Sequence, residues 1–234
     1  MQKKEMVGAG TTRVKKDQVT YWYIRQLDQE VFESQPLNMQ HVPSGLRSNI
    51  DKISFLSNYE PEPEYYRIHT VPALDSLARK VREGQEHFNL GMLEKAEQDF
   101  VKALMIDDQS VEASYGLAEV YSEQQQVEKL RDALNTLIHL DDAFKEQYKT
   151  RFNQFGMSLR KNGHLDESIK YYNKALEFST SDDHIYFNLA RVYFDKGDLQ
   201  SCSSTLNSAL ELNPEFKEAR QFLQYCAKRM AASA

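Results

Sequence analysis

Two consecutive stretches of the chain repeat the same order of hydrophobic, small and polar residues. Lys149–Asp182 aligns with Asp183–Phe216 without a gap, and the second stretch begins 34 residues after the first (183 − 149). The matching positions are Phe155 with Leu189, Gly156 with Ala190, Leu159 with Tyr193, Gly163 with Gly197, Leu165 with Leu199, Tyr172 with Leu206 and Ala175 with Ala209. A period of this length predicts stacked helix–turn–helix units, because one such unit has too little apolar surface to fold alone.

The same pattern extends towards the N terminus in two less regular blocks. Leu77–Ser110 keeps its landmarks at Gly84, Gly91, Leu93, Ala96, Phe100 and Ala103, and Val111–Phe144 keeps Leu117, Ala118, Tyr121, Leu130, Leu134 and Leu137. The second block has no glycine in its inter-helix turn. Between the second and third blocks the register slips by four residues (149 − 145), which predicts about one extra helical turn at Lys145–Tyr148. After Pro214, residues 216–230 predict a final helix that caps the stack.

The first 72 residues do not follow the repeat. Met1–Asp17 is polar and predicts a flexible tail, whereas β-branched and aromatic residues predict a β-hairpin with strands near 19–26 and 30–36. A short helix is expected at Ile50–Leu56, capped by Ser48 or Asn49, and the prolines of Glu60–Glu64 predict an extended arm. We therefore divide the chain into an N-terminal extension, residues 1–72, and a repeat region, residues 73–230.

The repeat blocks resemble the tetratricopeptide repeat (TPR) family, whose pattern of small and aromatic residues they share around the inter-helix glycine. The resemblance implies an all-α fold: a right-handed superhelical solenoid of four helical hairpins plus a capping helix, here preceded by the β-hairpin extension. It also implies a non-catalytic protein–protein interaction module in which the first helix of each pair lines a concave groove. Such a groove would bind a peptide or helix of another protein.

The family's groove positions can be carried over onto this sequence. They are Tyr115, Glu119, Asn153, Met157, Arg160, Phe187, Asn188, Arg191, Phe194, Gln221 and Tyr225. Amides can bond a peptide backbone, arginines its carboxylates, and aromatic or Met side chains its apolar groups. An alternative is a self-assembling scaffold, a homo-oligomer formed through the hairpin, because its aromatic residues must either cover the first repeat or pair with another subunit. Those residues are Tyr21, Trp22, Tyr23 and Phe32.

One specific ligand is disfavoured by the side chains present. TPR domains that capture the acidic tail of heat-shock chaperones resemble one another in a clamp of Lys, Asn and Arg. In one frame the corresponding positions hold Val81, Gln85, Gly116, Thr150 and Gln154, and in the next they hold Tyr115, Glu119, Gln154, His184 and Asn188. The clamp is absent in both frames.

Composition and motifs bound the remaining possibilities. A formal net charge of −6 and acid-rich repeats give no basic footprint for nucleic acid. No window reaches the roughly 18–20 apolar residues of a membrane span, and two cysteines without a CxxC motif predict reduced thiols and a cytoplasmic location. No phosphate-binding glycine loop, zinc-protease motif or nucleophile elbow is present, and the six histidines are dispersed. We therefore expect no enzymatic activity, no metal and no cofactor.

Overall fold

The computed structural model describes residues 2–6, 17–145 and 148–232 of the chain. The chain divides into two compact units, residues 1–113 and residues 114–234. The boundary predicted between residues 72 and 73 stays a prediction from the sequence.

The first unit begins with an antiparallel sheet in the strand order β1-β2-β3-β4. The strands are β1 Gln2–Met6, β2 Asp17–Gln26, β3 Val31–Pro36 and β4 Ser48–Asp51. The predicted hairpin is confirmed as β2 and β3, and the Asp28 carboxylate closes its turn by accepting hydrogen bonds from the backbone N–H groups of Glu30 and Val31.

Strand β1 corrects one sequence-based expectation. Residues 2–6 pair with residues 17–21 of β2, although their polar composition predicted a flexible tail. Backbone groups along the edge of a strand can pair with another segment whatever its side chains are. The remainder of the predicted tail, residues 7–16, lies outside the described residues.

The aromatic residues of the hairpin pack on the segment that follows the sheet. Tyr21 stacks on Tyr65 with 3.5 Å between ring centroids, and Phe32 stacks on Phe55 at 4.3 Å. The other two contacts join Trp22 to Tyr59 at 6.0 Å and Tyr23 to Tyr66 at 6.2 Å. The hairpin is therefore stabilised by residues 55–66 of its own chain, which supply the packing that an isolated hairpin lacks.

The short helix of the extension begins two residues later than predicted (52 − 50). Helix α1 spans Lys52–Asn58, and Ile50 remains in β4. Its N-cap is Asp51, not Ser48 or Asn49, because the Asp51 carboxylate accepts a hydrogen bond from the Ser54 N–H at 2.9 Å. The hydrogen bonds from Ser54 lower the pKa of Asp51.

The proline arm is extended only in part. Helix α2 starts at Pro63 and spans Pro63–Tyr65, so the last two residues of the predicted arm, Glu60–Glu64, are helical. Proline suits the first position of a helix, where its missing N–H would have no partner. A π-helical turn, Tyr66–Thr70, connects α2 to α3, Val71–Asn89, the first helix of the first repeat.

The loop after β3 is bonded to the far end of this first hairpin. Helix α4 spans Leu93–Ile106, and the Asn38 side chain donates a hydrogen bond to the Ile106 carbonyl at 2.8 Å. The Ser44 hydroxyl donates to the Asp107 carboxylate at 3.0 Å. A helix leaves its last carbonyls without intrahelical partners, so the extension covers the C-terminal end of α4.

The remaining helices continue the predicted series. They are α5 Val111–Glu123, α6 Val127–His139, α7 Lys149–Lys161, α8 Leu165–Phe178, α9 Asp183–Lys196, α10 Leu199–Leu212 and α11 Lys217–Ala232. These helices form successive pairs, and α11 follows as the predicted capping helix. The fold class is therefore confirmed: repeated helical hairpins with a small N-terminal sheet.

The turn without glycine adopts the same backbone conformation as the others. Gly91, Gly163 and Gly197 have φ of 72°, 83° and 86°, and Gln125, at the same repeat position, has φ of 56°. A side chain in this left-handed region is strained. The second block therefore keeps the turn geometry at an energetic cost that glycine avoids.

The region between the second and third blocks does not lengthen a helix. Helix α6 ends at His139, a 3₁₀ turn occupies Asp141–Phe144, and Lys145 lies in a bend. The predicted extra helical turn at Lys145–Tyr148 is therefore wrong for Lys145, and residues 146 and 147 lie outside the described residues. A sequence offset gives the number of inserted residues but not their backbone conformation.

Small residues on each first helix match the size of a residue on the second helix of the same block. The pairs are Gly84 with Phe100, Ala118 with Leu134, Gly156 with Tyr172 and Ala190 with Leu206. Glycine occurs where the partner is aromatic, and alanine where it is leucine. A Cβ at Gly156 would lie 2.6 Å from the Tyr172 hydroxyl oxygen, so the aromatic ring occupies the space of the missing side chain.

Candidate partner-binding surface

The predicted groove residues lie on first helices of the repeats and on the cap, all within the second unit. We call the set that reaches the solvent the first-helix surface. It consists of Glu119 on α5, Asn153, Met157 and Arg160 on α7, Phe187, Asn188, Arg191 and Phe194 on α9, and Gln221 and Tyr225 on α11.

Tyr115 does not belong to this surface, which corrects the sequence-based assignment. Its side chain is fully buried, and its hydroxyl donates a hydrogen bond to the Ala143 carbonyl at 2.8 Å. The same hydroxyl lies 2.7 Å from that of Tyr171. Burial raises the pKa values of both tyrosines. Tyr115 is thus a core residue that a partner cannot contact.

Glu119 is held next to an arginine that the sequence reasoning missed. Its carboxylate accepts a hydrogen bond from the Arg151 guanidinium at 3.2 Å. Burial raises the pKa of Glu119, and the charge of Arg151 opposes that effect without cancelling it. Because Arg151 lies 32 residues further along the chain, on another helix, no local pattern connects the two residues.

Polar contacts join α7 to α9 along the surface. The Asn188 amide donates a hydrogen bond to the Asn153 amide oxygen at 3.4 Å. About two helical turns further along each helix, the Arg160 guanidinium forms an ion pair with Asp195. Asn153 and Asn188, which are 35 residues apart in sequence, thus become neighbours across two adjacent hairpins, and their contact makes the surface continuous from α7 to α9.

Aromatic contacts continue the surface from α9 to the cap. Phe194 lies 5.2 Å from Phe222 and 5.7 Å from Tyr225, measured between ring centroids. Phe187 packs on Phe216 at 5.0 Å, so its ring contributes to the packing of the cap as well as to the surface. Tyr225 remains 51% exposed and Gln221 is exposed, whereas Met157 is half-buried. The cap end therefore presents aromatic side chains that are held in place and still reachable.

Arg191 has an unusual environment within this surface. Burial lowers the pKa of its guanidinium, and the positive charge of Arg160 lowers it further. Beneath these arginines lies Tyr172, which is fully buried. Its pKa is raised by burial and lowered in part by Arg160 and Arg191. The two arginines are therefore close enough to repel each other.

Asp195 is the functional candidate that the sequence analysis did not name. It lies four residues after Arg191 on α9, a spacing that places both on one helix face. That spacing was visible in the sequence, but the choice of Arg160 as its partner depends on how α7 packs against α9.

The first unit contains a separate cleft beside the hairpin. It has a volume of about 360 Å³ and is lined by Trp22, Tyr23, Ile24, Leu37, Pro61, Glu62, Pro63, Tyr65, Tyr66 and Thr70. Two residues of the predicted oligomer or capping surface, Trp22 and Tyr23, line it, whereas Tyr21 and Phe32 are stacked inside the unit. Self-assembly through the hairpin stays a prediction.

The described part of the chain has neither a metal-binding cluster nor a helix that could span a membrane. Over residues 2–6, 17–145 and 148–232, no group of three His, Cys, Asp or Glu side chains is arranged to hold a metal ion. Among the helices of those same ranges, none has the length and apolar character needed to cross a bilayer.

Comparison with known proteins agrees with the repeat pattern. A family profile described as TPR repeat matches residues 156–197, and one described as Tetratricopeptide repeat matches residues 80–110 and 183–216. The mitochondrial import receptor subunit TOM70 of Saccharomyces cerevisiae is 35% identical over 74 residues, which cover 32% of this chain and 12% of TOM70. The BBSome complex member BBS4 of Bos taurus is 25% identical over 127 residues, covering 54% of this chain and 24% of BBS4.

Solved structures with a similar helical arrangement include the MamA protein and Pseudomonas aeruginosa pilF. MamA has a TM-score of 0.48 at 17% identity, covering 66% of this chain and 82% of MamA. PilF has a TM-score of 0.48 at 16% identity, covering 69% of this chain and 72% of pilF. The chain spans less than a quarter of the length of the curated relatives TOM70 and BBS4. The 34-residue period (183 − 149), the helical hairpins and the two family profiles show that this chain carries tetratricopeptide repeats, over residues 80–110 and 156–216.

Proposed function

We propose that this chain is a non-catalytic protein-interaction module and that its first-helix surface binds a peptide or helix segment of another protein. Repeats of this type form extended surfaces for binding other proteins. The observation that carries the proposal is the continuity of the surface: Asn153 contacts Asn188, Arg160 pairs with Asp195, and Phe194 packs on Tyr225. These contacts join three successive first helices.

The chemistry of the surface suits a peptide. Primary amides both donate and accept hydrogen bonds, so Asn153 and Asn188 can exchange their weak mutual contact of 3.4 Å for bonds to a peptide backbone. Tyr225 and Phe194 offer apolar area at the cap end, and aromatic residues often anchor protein interfaces. A segment lying across α7, α9 and α11 would meet amides first and aromatic rings last.

The relatives are consistent with a role in assembly. TOM70 is named as a subunit of an import receptor and BBS4 as a member of a complex. Each similarity covers only part of the other protein, so the proposal for this chain rests on its own surface.

The proposal can be tested with the immobilised full-length chain and a double variant, Asn188→Ala/Arg191→Ala. Proteins captured from a cell extract would be quantified by mass spectrometry, and binding of each recovered candidate would then be measured with purified components. A matched variant, Lys161→Ala/Asn207→Ala, changes an exposed cation and an exposed asparagine elsewhere in the same repeats.

We expect the surface variant to lose partners that the matched variant retains. Thermal unfolding followed by circular dichroism would verify that both variants remain folded. Recovery of every partner at equal levels by the wild type and both variants would show that binding does not use the first-helix surface.

A further inference from the structure

The guanidinium groups at one place on the first-helix surface outnumber the carboxylates beside them. Arg160 and Arg191 are close enough for their charges to interact, and both interact with Asp195. This carboxylate pairs directly with Arg160 and acts on Arg191 at longer range. Arg191 and Asp195 share one face of α9 because they are four residues apart. Two guanidinium groups against one carboxylate leave one positive charge uncompensated.

Arg191 is the group with unused binding capacity. Among the described residues its guanidinium has no hydrogen-bond or ion-pair partner, and its side chain is half-buried. The pKa of its guanidinium is lowered by burial and by Arg160. A partly desolvated cation of this kind gains more from an incoming anion than a fully hydrated one, because part of its hydration is already lost.

Three other carboxylates of the second unit have partners of their own. Glu119 accepts from Arg151, and Asp183 accepts from the Asn213 amide. Asp166 pairs with Lys196. Within the described residues, the second unit thus provides no additional carboxylate at Arg191, although the chain as a whole has a formal net charge of −6.

A buried tyrosine hydroxyl lies close to both arginines. The Tyr172 hydroxyl is buried beneath the arginines and has no hydrogen-bond partner among the described residues. Gly156 leaves the space in which this hydroxyl sits, 2.6 Å from where a Cβ would be. A hydroxyl group carries no charge, so Tyr172 leaves the excess positive charge of Arg191 uncompensated.

We propose that Arg191, flanked by Arg160, is a subsite for a carboxylate of the bound peptide. This inference rests on the proposed peptide-binding function and deepens it by naming the chemistry of the partner: an acidic segment. Guanidinium groups bind carboxylates through two parallel N–H···O bonds, which fix the position of the acidic group as well as attract it. An Asp or Glu side chain and a chain terminus both supply this acidic group, since each presents the same two oxygens.

The test uses random 12-residue peptides displayed in two forms and selected on the immobilised full chain. One library is fused at its C-terminal end, so that only side-chain carboxylates are free, and the other ends in a free C-terminal carboxylate. Selected peptides would be synthesised with the carboxylate intact or replaced by its amide. Their dissociation constants would be measured for the wild type, Arg191→Gln and Arg191→Lys, with Lys161→Gln as a control of equal charge change on an exposed site of α7.

We expect one library to yield peptides with an acidic group at a fixed position. Arg191→Gln should weaken their binding by about 10- to 100-fold, the loss for a hydrogen bond to a charged group, and Lys161→Gln should change it less than about 2-fold. Arg191→Lys should recover part of the loss because it keeps the charge but not the paired donors. With the amide peptide, Arg191→Gln should have little further effect, because the two changes remove the same contact.

The remaining outcomes separate this inference from the proposed function. Selected peptides that respond to Asn188→Ala, but contain no fixed acidic position or lose affinity to Arg191→Gln equally with and without the carboxylate, would overturn the carboxylate subsite alone. Peptides insensitive to every substitution on the first-helix surface, or the failure of both libraries to yield a binder, would overturn the proposed function and the subsite with it.

Discussion

The Gly156→Ala variant tests whether the size match between helices stabilises the repeats. A Cβ at this position would lie 2.6 Å from the hydroxyl oxygen and 2.9 Å from Cε1 of Tyr172, and closer still to its Cζ. Optimal separations between carbon atoms are about 3.5–4.0 Å. The ring must therefore move by a substantial fraction of an ångström, although it is fully buried and packs against Tyr171 and Phe152.

The size of the effect follows from two opposing terms. Overpacking a well-filled core costs about 1–3 kcal/mol, and the rigid surroundings of Tyr172 favour the upper end of that range. Alanine is better than glycine inside a helix by about 1 kcal/mol. We expect Gly156→Ala to lower the free energy of unfolding by about 2 kcal/mol, measured by urea denaturation followed by circular dichroism at 222 nm.

A compensating variant makes this prediction specific. Gly156→Ala/Tyr172→Leu recreates in the third block the pair that Ala190 and Leu206 form in the fourth, where both are fully buried in one apolar cluster. Tyr172→Leu alone should destabilise the chain by leaving unfilled volume. In the double variant the Cβ fills part of that volume, so the two effects should be non-additive by at least about 1 kcal/mol. A Gly156→Ala variant as stable as the wild type, or strictly additive effects, would refute the reasoning.

Three further predictions concern the inter-helix turn at Gln125, the half-buried acid Glu119 and the two thiols. Gln125→Gly should raise the free energy of unfolding by about 0.5–1 kcal/mol because it relieves a backbone held at φ 56°, whereas Gln124→Gly should not; urea denaturation measures both. Because burial raises the folded-state pKa of Glu119, its stabilising contribution is present below the unfolded pKa of about 4.3 and is lost as the pH rises through the folded pKa. Wild type should therefore lose stability relative to Glu119→Gln as the pH rises above about 4, and a pH-independent difference would contradict this. Cys202 and Cys226 are fully buried, with their sulfur atoms 3.3 Å apart, and burial raises the pKa of Cys202. We therefore expect a disulfide reagent to modify both thiols only at the rate at which the chain unfolds. Rapid labelling of the native chain would disprove this expectation.

The sequence by itself determined the repeat architecture. Each helical hairpin depends on residues within its own block, so the 34-residue offset (183 − 149) and the position of each turn could be read directly. The β2–β3 hairpin was likewise predictable, because its β-branched and aromatic strands and its turn are close in sequence. Local choices of this kind depend on side-chain size and backbone preference rather than on distant partners.

The exact ends of helices and strands were predicted less accurately from the sequence. The start of α1 moved from Ile50 to Lys52 because Ile50 was recruited into β4, which pairs with a strand more than ten residues earlier. Pro63 begins a helix instead of ending an extended arm, since proline is compatible with both conformations. The sequence indicated where the chain changes conformation, but contacts with neighbouring segments determined which conformation each residue adopts.

The tertiary structure decided which groove positions are available and which are charged without compensation. Tyr115 occupies a groove position in the family pattern, but its hydroxyl reaches Ala143 and Tyr171, 28 and 56 residues further along, and these contacts place it in the core. The excess charge at Arg191 became evident only when α7 brought Arg160 to Asp195. A repeat pattern specifies the backbone because each block folds by the same short-range rules; exposure and charge balance depend on side chains from other blocks, which that pattern does not encode.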